Sequence, residues 1–572
     1  MANTLLNLFE KNPQLLEWRD KVTLLSRQLV MGFSGSSKAV VMASALSEQV
    51  PKILIVTSTQ NEAEQLTGDL SAILGEDKVY SFFADDVVAA EFIFASPEKT
   101  HSRLESLNFL IDKEASGVLV TSLVGTKLHL PNPKVYKDSR INLALGEEHD
   151  LEALSKHLTH IGYQRVEQVL SPGEFSRRGD ILDIYELTAE LPYRLEFFGD
   201  EIDGIRQFDS DSQKSLDNLE HVIVSPADDI ILTREDYQRA EKALESAVSK
   251  AEGPHKAYLE EVLSVTIDGY RHKDLRKFLS LFYDKAYTLF DYLPKGTPVF
   301  IDDFQKIVDR HGRLELEVAN LLTEDLHQGK SLSHLNYLVD SFKTLRNYQP
   351  ASFFSNFHKG LGNLKFDKLY QFTQYPMQEF FNQFPLLVDE IHRYTKNKAT
   401  VILQVGSEKQ LKSLKETLEE YDLDLPLSSF GDLIPHKPQL VLGNLSNGFY
   451  FADEKLVLVT EREIFHKKVK RRARASHVSN AERLKDYNEL EKGDYVVHQT
   501  HGIGQFKGIE TIEIKGVHRD YLTIQYQDAA TISLPVEQIE SLSKYVSADG
   551  KEPKINKLND GRFQKTKQKV SK

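Results

Sequence analysis

The chain of 572 residues contains no cysteine. This absence excludes disulfide bonds, zinc sites built on thiolates and catalytic cysteine nucleophiles, and we predict no metal site. A chain without cysteine suits the reducing interior of a cell. We therefore predict a cytoplasmic protein.

Long hydrophobic runs are also missing. No segment approaches the about 18 consecutive apolar residues that a membrane-spanning helix needs. The N-terminal segment carries Glu10, Lys11 and Asp20 within its apolar pattern, which indicates an amphipathic helix and not a secretion signal.

A surplus of basic charge is absent as well. The net charge of −14 argues against a protein whose whole surface binds nucleic acid.

The chain is long enough for several domains, and its patterns divide it. Residues 1–133 alternate strands with helices, which predicts a parallel α/β layer, and residues 134–216 carry short strands with a glycine turn. A long helical stretch, about 233 to 286, lies within 217–349, and 350–459 read as a second, small α/β domain of open role. A basic linker (460–484), a strand-rich small β-barrel (485–550) and a basic tail (551–572) complete the chain.

The most informative motif is a phosphate-binding loop with two defects at residues 32–39, which read G-F-S-G-S-S-K-A. Gly32 and Lys38 stand where the Walker pattern requires them. Ser37 replaces the second glycine, and Ala39 replaces the hydroxyl that would hold Mg²⁺. On these residues alone, an ordinary loop rich in serine and glycine is an equally good interpretation.

Three passages together resemble the family of bacterial transcription-repair coupling factors, whose first domains are similar to the repair protein UvrB. The first passage pairs the Gly32 loop with residues 301–305, I-D-D-F-Q, which fall at a Walker B position. There Asp302 remains and Asp303 replaces the family's glutamate. Two defects in one site imply a lost ATPase function. We therefore expect no catalytic residue and no cofactor in this chain.

The second passage is residues 172–184 with 191–198, and it is similar to the family's UvrA-binding module. Side chains alternate faces along a strand, so Arg194 and Phe198 share one face of the strand 193–198. By resemblance, Arg178, Arg194 and Phe198 contact UvrA. The expectation is that Arg194→Ala removes UvrA binding while the melting temperature stays unchanged. The alternative is a solvated strand face whose Phe198 packs under a loop.

The third passage, from Gly493 to Val536, resembles the RNA polymerase-interacting domain shared with CarD-type regulators, which implies an SH3/Tudor-like barrel. Lys515 and Gly516 form a plausible hairpin turn. Leu522 stands at a position linked to the β subunit of RNA polymerase, and we leave core and interface open for it.

The resemblance implies a multidomain α/β fold: a degenerate UvrB-like P-loop α/β domain with an inserted α+β UvrA-binding module, a small α/β domain and the barrel. It implies a non-catalytic adaptor that binds stalled RNA polymerase and recruits UvrA. We expect a monomeric fragment without the translocase that uses ATP and Mg²⁺, and at most weak attraction of double-stranded DNA. The alternatives are a divergent UvrB-like ATPase and a CarD-like transcription regulator.

Overall fold

The computed structural model describes Leu5, Val88, Phe92 and the residues 12–24, 26–86, 97–210, 212–355, 361, 364–466, 482–483, 492–498, 502–514, 517–527, 530–535 and 542–544. The basic run of the predicted linker, the Lys515–Gly516 turn and the tail 551–572 lie outside these residues. The chain divides into two compact units, which we describe separately. One comprises Met1–Asn142, His160–Gly162 and Ile223–Ala473, and the other Leu143–Thr159, Tyr163–Val222 and Arg474–Lys572.

The first unit contains a seven-stranded sheet, here called the first sheet. Its strands are, in spatial order, Lys368–Gln371, Arg27–Met31, Ala351–Ser355, Val299–Asp302, Lys52–Thr57, Gly117–Ser122 and Val79–Phe82. All neighbouring strands run parallel, as the alternation of strands and helices predicts. Every residue of Lys52–Thr57 and Gly117–Ser122 is buried, because helices cover both faces of such a sheet.

The helices of this unit follow the predicted pattern. Those that accompany the first sheet are Pro13–Lys21, Ser36–Ser44, Gln60–Leu74, Pro97–Ile111, Pro133–Asp138, Leu289–Tyr292, Phe304–His327 and Phe342–Asn347, with 3₁₀ turns at Glu76–Lys78 and Gly125–Lys127. The predicted helical stretch comprises Arg234–Val248, Gly253–Ile267 and Leu275–Phe282. Thr233 and Asp236 form a capping box at the start of this stretch. No helix in the described part of the chain is long and apolar enough to cross a membrane.

A second sheet in the same unit, here called the covering sheet, has six strands. In spatial order they are Gln374–Pro376, Phe449–Phe451, Leu456–Val459, Thr400–Val405, Pro438–Leu442 and Leu427–Ser428, with helices Phe384–Lys396, Glu408–Glu419 and Glu461–Phe465. Ala351–Ser355 and Lys368–Gln371 belong to the first sheet, so the covering sheet begins at Gln374 and not at residue 350. A short apolar strand fits either sheet, and its sequence does not say which one it joins.

The second unit contains the module sheet, whose six strands are Ser215–Leu219, Glu201–Phe208, Tyr193–Phe198, Ile181–Ile184, Glu174–Arg178 and Gln164–Arg165 in spatial order. Neighbours are antiparallel except for the last pair. Helix Leu151–His160 accompanies it, and Ile141–Ala144 pairs with His221–Val224 in a two-stranded sheet.

The C-terminal strands form an antiparallel sheet in the order Glu482–Arg483, Leu542–Lys544, Tyr495–His498, Gly502–Ile514, Val517–Gln525 and Thr531–Pro535. The predicted barrel is not confirmed, because the two end strands of this order are not paired with each other among the described residues. Leu522, Ile524 and Tyr526, which alternate along this part of the sheet, are buried.

Candidate functional site

The degenerate phosphate loop has the structural context of a nucleotide site. Strand Arg27–Met31 leads into it and helix Ser36–Ser44 follows it, while Gly32 and Gly35 adopt φ angles of 98° and 56°. Lys38 Nζ forms an ion pair with Asp302, the remaining acid at the Walker B position. The structure therefore brings together the two halves of the site that the sequence analysis pairs.

Asp303 begins the helix Phe304–His327 in the left-handed region, with a φ of 52°. Lys306 Nζ lies 2.8 Å from Glu62 Oε1 and 3.7 Å from Asp303 Oδ2. Acidic and basic groups at this end of the sheet thus neutralise one another within the chain.

The side chain of Gln374, from a distant part of the chain, occupies the degenerate phosphate loop. Gln374 Oε1 accepts a hydrogen bond from the Ser34 backbone N–H at 3.0 Å, and Ser34 Oγ and Ser37 Oγ each lie 3.1 Å from it. Ser37 Oγ also donates to the Ser34 carbonyl at 2.7 Å. Ser37 and Ala39 are fully buried. Gln374 was missed by the sequence analysis, since it stands 340 positions from Ser34 and carries no motif.

The second site lies on one face of the module sheet. Asp183 is fully buried at its centre and accepts two hydrogen bonds from Arg194, Nε to Oδ1 at 2.7 Å and Nη2 to Oδ2 at 2.9 Å. Arg178 Nη2 donates to the same Oδ2 at 2.6 Å. The strand registers explain this cluster, because Asp183 pairs with Arg194 on one side and with Ser176 on the other.

Arg194 is held from several directions. Its guanidinium stands 4.4 Å from the ring centroid of Phe208, and its Nη1 and Nη2 lie 3.3 Å from the backbone and side-chain oxygens of Gln213. The hydrogen bonds to Asp183 raise the pKa of Arg194 above its ordinary value. Only 14% of its side chain is exposed. Its geometry is that of an internal support of the face, and its expected contact with UvrA stays a prediction.

Phe198 and Arg178 are the accessible members of the predicted set. Phe198 is 83% exposed at the end of its strand, and half of the Arg178 side chain is exposed. Leu216, on the edge strand Ser215–Leu219, is exposed as well. The alternative in which a loop covers Phe198 is excluded within its own unit by this exposure.

Leu522 is fully buried in the C-terminal sheet, directly opposite Ile509 in the register of two strands. Ile509 is 41% exposed. Leu522 is thus a core residue of this sheet, and the exposed apolar group beside it belongs to the neighbouring strand. The link of this position to RNA polymerase stays a prediction.

Comparison with known families matches three separate regions of the chain. Residues 141–229 match the UvrB interaction domain, 394–464 match the D3 domain of MFD, and 490–546 match the CarD-like/TRCF RID domain. A transcription-repair-coupling factor of Bacillus subtilis is 34% identical over 96% of this chain and 47% of its own length. The chain belongs to the transcription-repair-coupling factor family.

Other members of the transcription-repair-coupling factor family give the same picture. Those of Staphylococcus haemolyticus and Staphylococcus aureus (strain MRSA252) are 31% and 30% identical over 95% of this chain and 47% of their own lengths. The chain therefore spans about half the length of the curated relatives it matches. Within the family match, the UvrB interaction domain covers the whole module sheet, and the D3 domain covers most of the covering sheet.

The buried pair of Asp183 and Arg194 makes a prediction about stability. Arg194→Ala leaves a buried carboxylate with one remaining partner, and Asp183→Asn leaves a mostly buried guanidinium without its counter-charge. Loss of one member of such a pair typically costs about 3–5 kcal/mol. We expect both variants to lower the melting temperature in differential scanning calorimetry.

The control for this prediction is Arg178→Ala, because Arg178 is half exposed and Asp183 keeps both hydrogen bonds from Arg194 without it. Its cost is expected to be about 1 kcal/mol or less. An Arg194→Ala variant as stable as the wild type contradicts the supporting role and restores the sequence expectation.

Proposed function

We propose that this chain is a non-catalytic adaptor of transcription-coupled repair. It recruits UvrA through the face of the module sheet that carries Arg178 and Phe198, and it binds RNA polymerase through the C-terminal sheet. The observation that carries this proposal is the 83% exposure of Phe198 on the region that matches the UvrB interaction domain. An aromatic ring in water adds little to the stability of its own domain, whereas its burial in a partner stabilises a complex strongly.

Arg178 supports the same proposal. Asp183 holds one end of its guanidinium, which reduces the conformational freedom lost on binding. The remaining N–H groups of the fork are suited to a carboxylate of the partner. Arg178 and Phe198 therefore form a polar and an apolar anchor on one face of the module sheet, while Arg194 holds the Asp183 carboxylate that Arg178 also binds.

The net charge of residues 143–222 predicts the charge of the partner surface around the two anchors. Residues 143–222 contain 18 acidic and 7 basic residues, so their net charge of −11 accounts for most of the net charge of −14 of the whole chain. Opposite charges steer association and are screened by salt. The surface that receives the module should therefore be basic at its rim, with an acidic group reserved for Arg178.

The polymerase contact rests on the match to the CarD-like/TRCF RID domain and on Ile509. We propose that the exposed Ile509 side chain packs on the β subunit, and that the buried Leu522 supports the strand opposite it.

Weak attraction of duplex DNA and a monomeric state stay predictions of the sequence. The ATPase alternative is disfavoured by the Gln374 side chain inside the phosphate loop.

The UvrA proposal is tested by Phe198→Ala and Arg178→Ala in binding titrations with purified UvrA. Each variant is expected to weaken binding by about 2 kcal/mol, roughly 30-fold in Kd, since anchors of this kind dominate interfaces. The melting temperature of Phe198→Ala should equal that of the wild type, because the ring is exposed.

Matched controls are Arg165→Ala, an exposed arginine on the module sheet, and Phe381→Ala, an exposed phenylalanine in the other unit. Both should bind UvrA as the wild type does. Binding by the wild type should weaken as salt is raised. Wild-type affinity of Phe198→Ala for UvrA would refute the proposed docking face.

The polymerase proposal is tested with the full chain and the isolated β subunit of RNA polymerase. Ile509→Asp places a charge where an apolar contact is proposed, so it should abolish binding seen with the wild type at micromolar concentration. Lys507→Ala, exposed on the same strand two residues earlier, is the control and should bind. Failure of the wild type to bind at this concentration rejects the assignment.

A further inference from the structure

The glycines of the former phosphate loop are approached by the chain itself. A Cβ atom at Gly32 would lie 2.0 Å from the backbone oxygen of Phe372, a distance that no side chain tolerates. A Cβ atom at Gly35 would lie 3.1 Å from Cβ of Asn447. In a working nucleotide site, glycine admits the backbone close to phosphate. Here Gly32 admits the backbone at Phe372, between a strand of the first sheet and Gln374, and Gly35 admits Asn447, just before the covering-sheet strand Phe449–Phe451.

The carboxamide of Gln374 stands where the loop presents its hydrogen-bond donors. Its oxygen accepts from the Ser34 backbone N–H at 3.0 Å and lies 3.1 Å from two serine hydroxyls, Ser34 Oγ and Ser37 Oγ. Backbone N–H groups of such loops bind anionic oxygens in nucleotide-binding proteins. Ser37 supplies a hydroxyl that the glycine of an intact motif lacks. The replacement of glycine by Ser37 thus adds a polar group next to Gln374.

A second contact joins the beginning of the loop helix to the covering sheet. Asn447 donates its backbone N–H to Ser36 Oγ at 2.9 Å, and Ser36 Oγ donates to Asp69 Oδ2 at 2.9 Å. The Ser446 backbone N–H donates to Asp69 Oδ1 at 2.8 Å. Ser36 and Asp69 are buried, so these bonds form away from water, where an unsatisfied partner is costly.

Apolar packing surrounds these polar contacts. The ring of Phe33 lies 4.6 Å from that of Phe372 and 5.7 Å from that of Phe451. Eight of the nine residues of helix Ser36–Ser44 are buried, and they share one core with Val441 and Phe449 of the covering sheet. A nucleotide would have to displace this packing as well as Gln374.

We propose that the former phosphate loop is an intramolecular docking socket, which binds the covering sheet through the Gln374 carboxamide and the backbone of residues 446–447 in place of a nucleotide. The covering sheet is then held on the first sheet independently of ATP. This gives the region matched by the D3 domain a binding site within its own chain. The inference does not depend on UvrA or RNA polymerase.

The first test is Gln374→Ala in the full chain, followed by hydrogen–deuterium exchange of peptides that cover residues 32–37 and 438–451. Loss of the half-buried hydrogen bonds to Gln374 should speed exchange in both peptides by roughly five- to tenfold. Gln378→Ala, an exposed glutamine on the same segment, is the matched control and should exchange as the wild type does. Unchanged exchange in Gln374→Ala would overturn the proposal.

The second test uses the wild type and does not depend on the folding of a variant. Titration with ATP and Mg²⁺, or with inorganic pyrophosphate, at millimolar concentration should give no binding heat and no change in exchange of residues 32–37. Binding of either ligand accompanied by altered exchange in this peptide would overturn the proposal, since it would place phosphate where Gln374 lies.

A further variant of the first test is Gln374→Asn, whose side chain is one methylene shorter. Its carboxamide should not reach Ser34, so exchange in both peptides should be as fast as in Gln374→Ala.

Discussion

The burial of helix Ser36–Ser44 between two sheets is the constraint on which the first unit depends. The helix consists of serine, alanine, valine, methionine and one lysine, and only Lys38 escapes full burial. Small side chains permit both sheets to approach, and the glycines before the helix permit Phe372 and Asn447 to lie close to the loop. Glycine, which lets a loop approach phosphate closely, thus also permits close packing of protein segments. This explains how part of the motif is retained without nucleotide binding.

The module sheet depends on a different interaction, the buried carboxylate of Asp183. A charge in the interior requires paired donors, and Arg194 and Arg178 provide them from two neighbouring strands. The two arginines then have unequal roles, because one is enclosed and the other reaches solvent. The proposed docking by Arg178 and Phe198 consequently requires little rearrangement of the strands that carry them.

Much of this arrangement follows from the sequence, and the remainder depends on contacts distant in the chain. The period of two along residues 193–198 predicts which side chains share a face, and the motif at Gly32 predicts a strand, a loop and a helix. Alternation predicts which face a side chain lies on but not how deeply it is buried, so the sequence does not predict that Arg194 is mostly enclosed. Gln374 could not be found, because its partner Ser34 is fixed only when the covering sheet meets the first sheet.

The proposed socket and the proposed docking face of the module sheet differ in whether their binding groups are already buried within the chain. In the socket, the polar groups of the loop are already paired with Gln374, Ser446 and Asn447 through Ser34, Ser36 and Asp69, so an incoming ligand would replace bonds and not add them. On the module, Gly179 follows the strand that carries Arg178 and Gly199 follows the strand that carries Phe198, and a Cβ atom at either glycine would meet nothing within 4 Å. A partner there gains the whole burial of the ring. A closed phosphate loop and an open aromatic face are therefore the two features that the proposed non-catalytic adaptor requires.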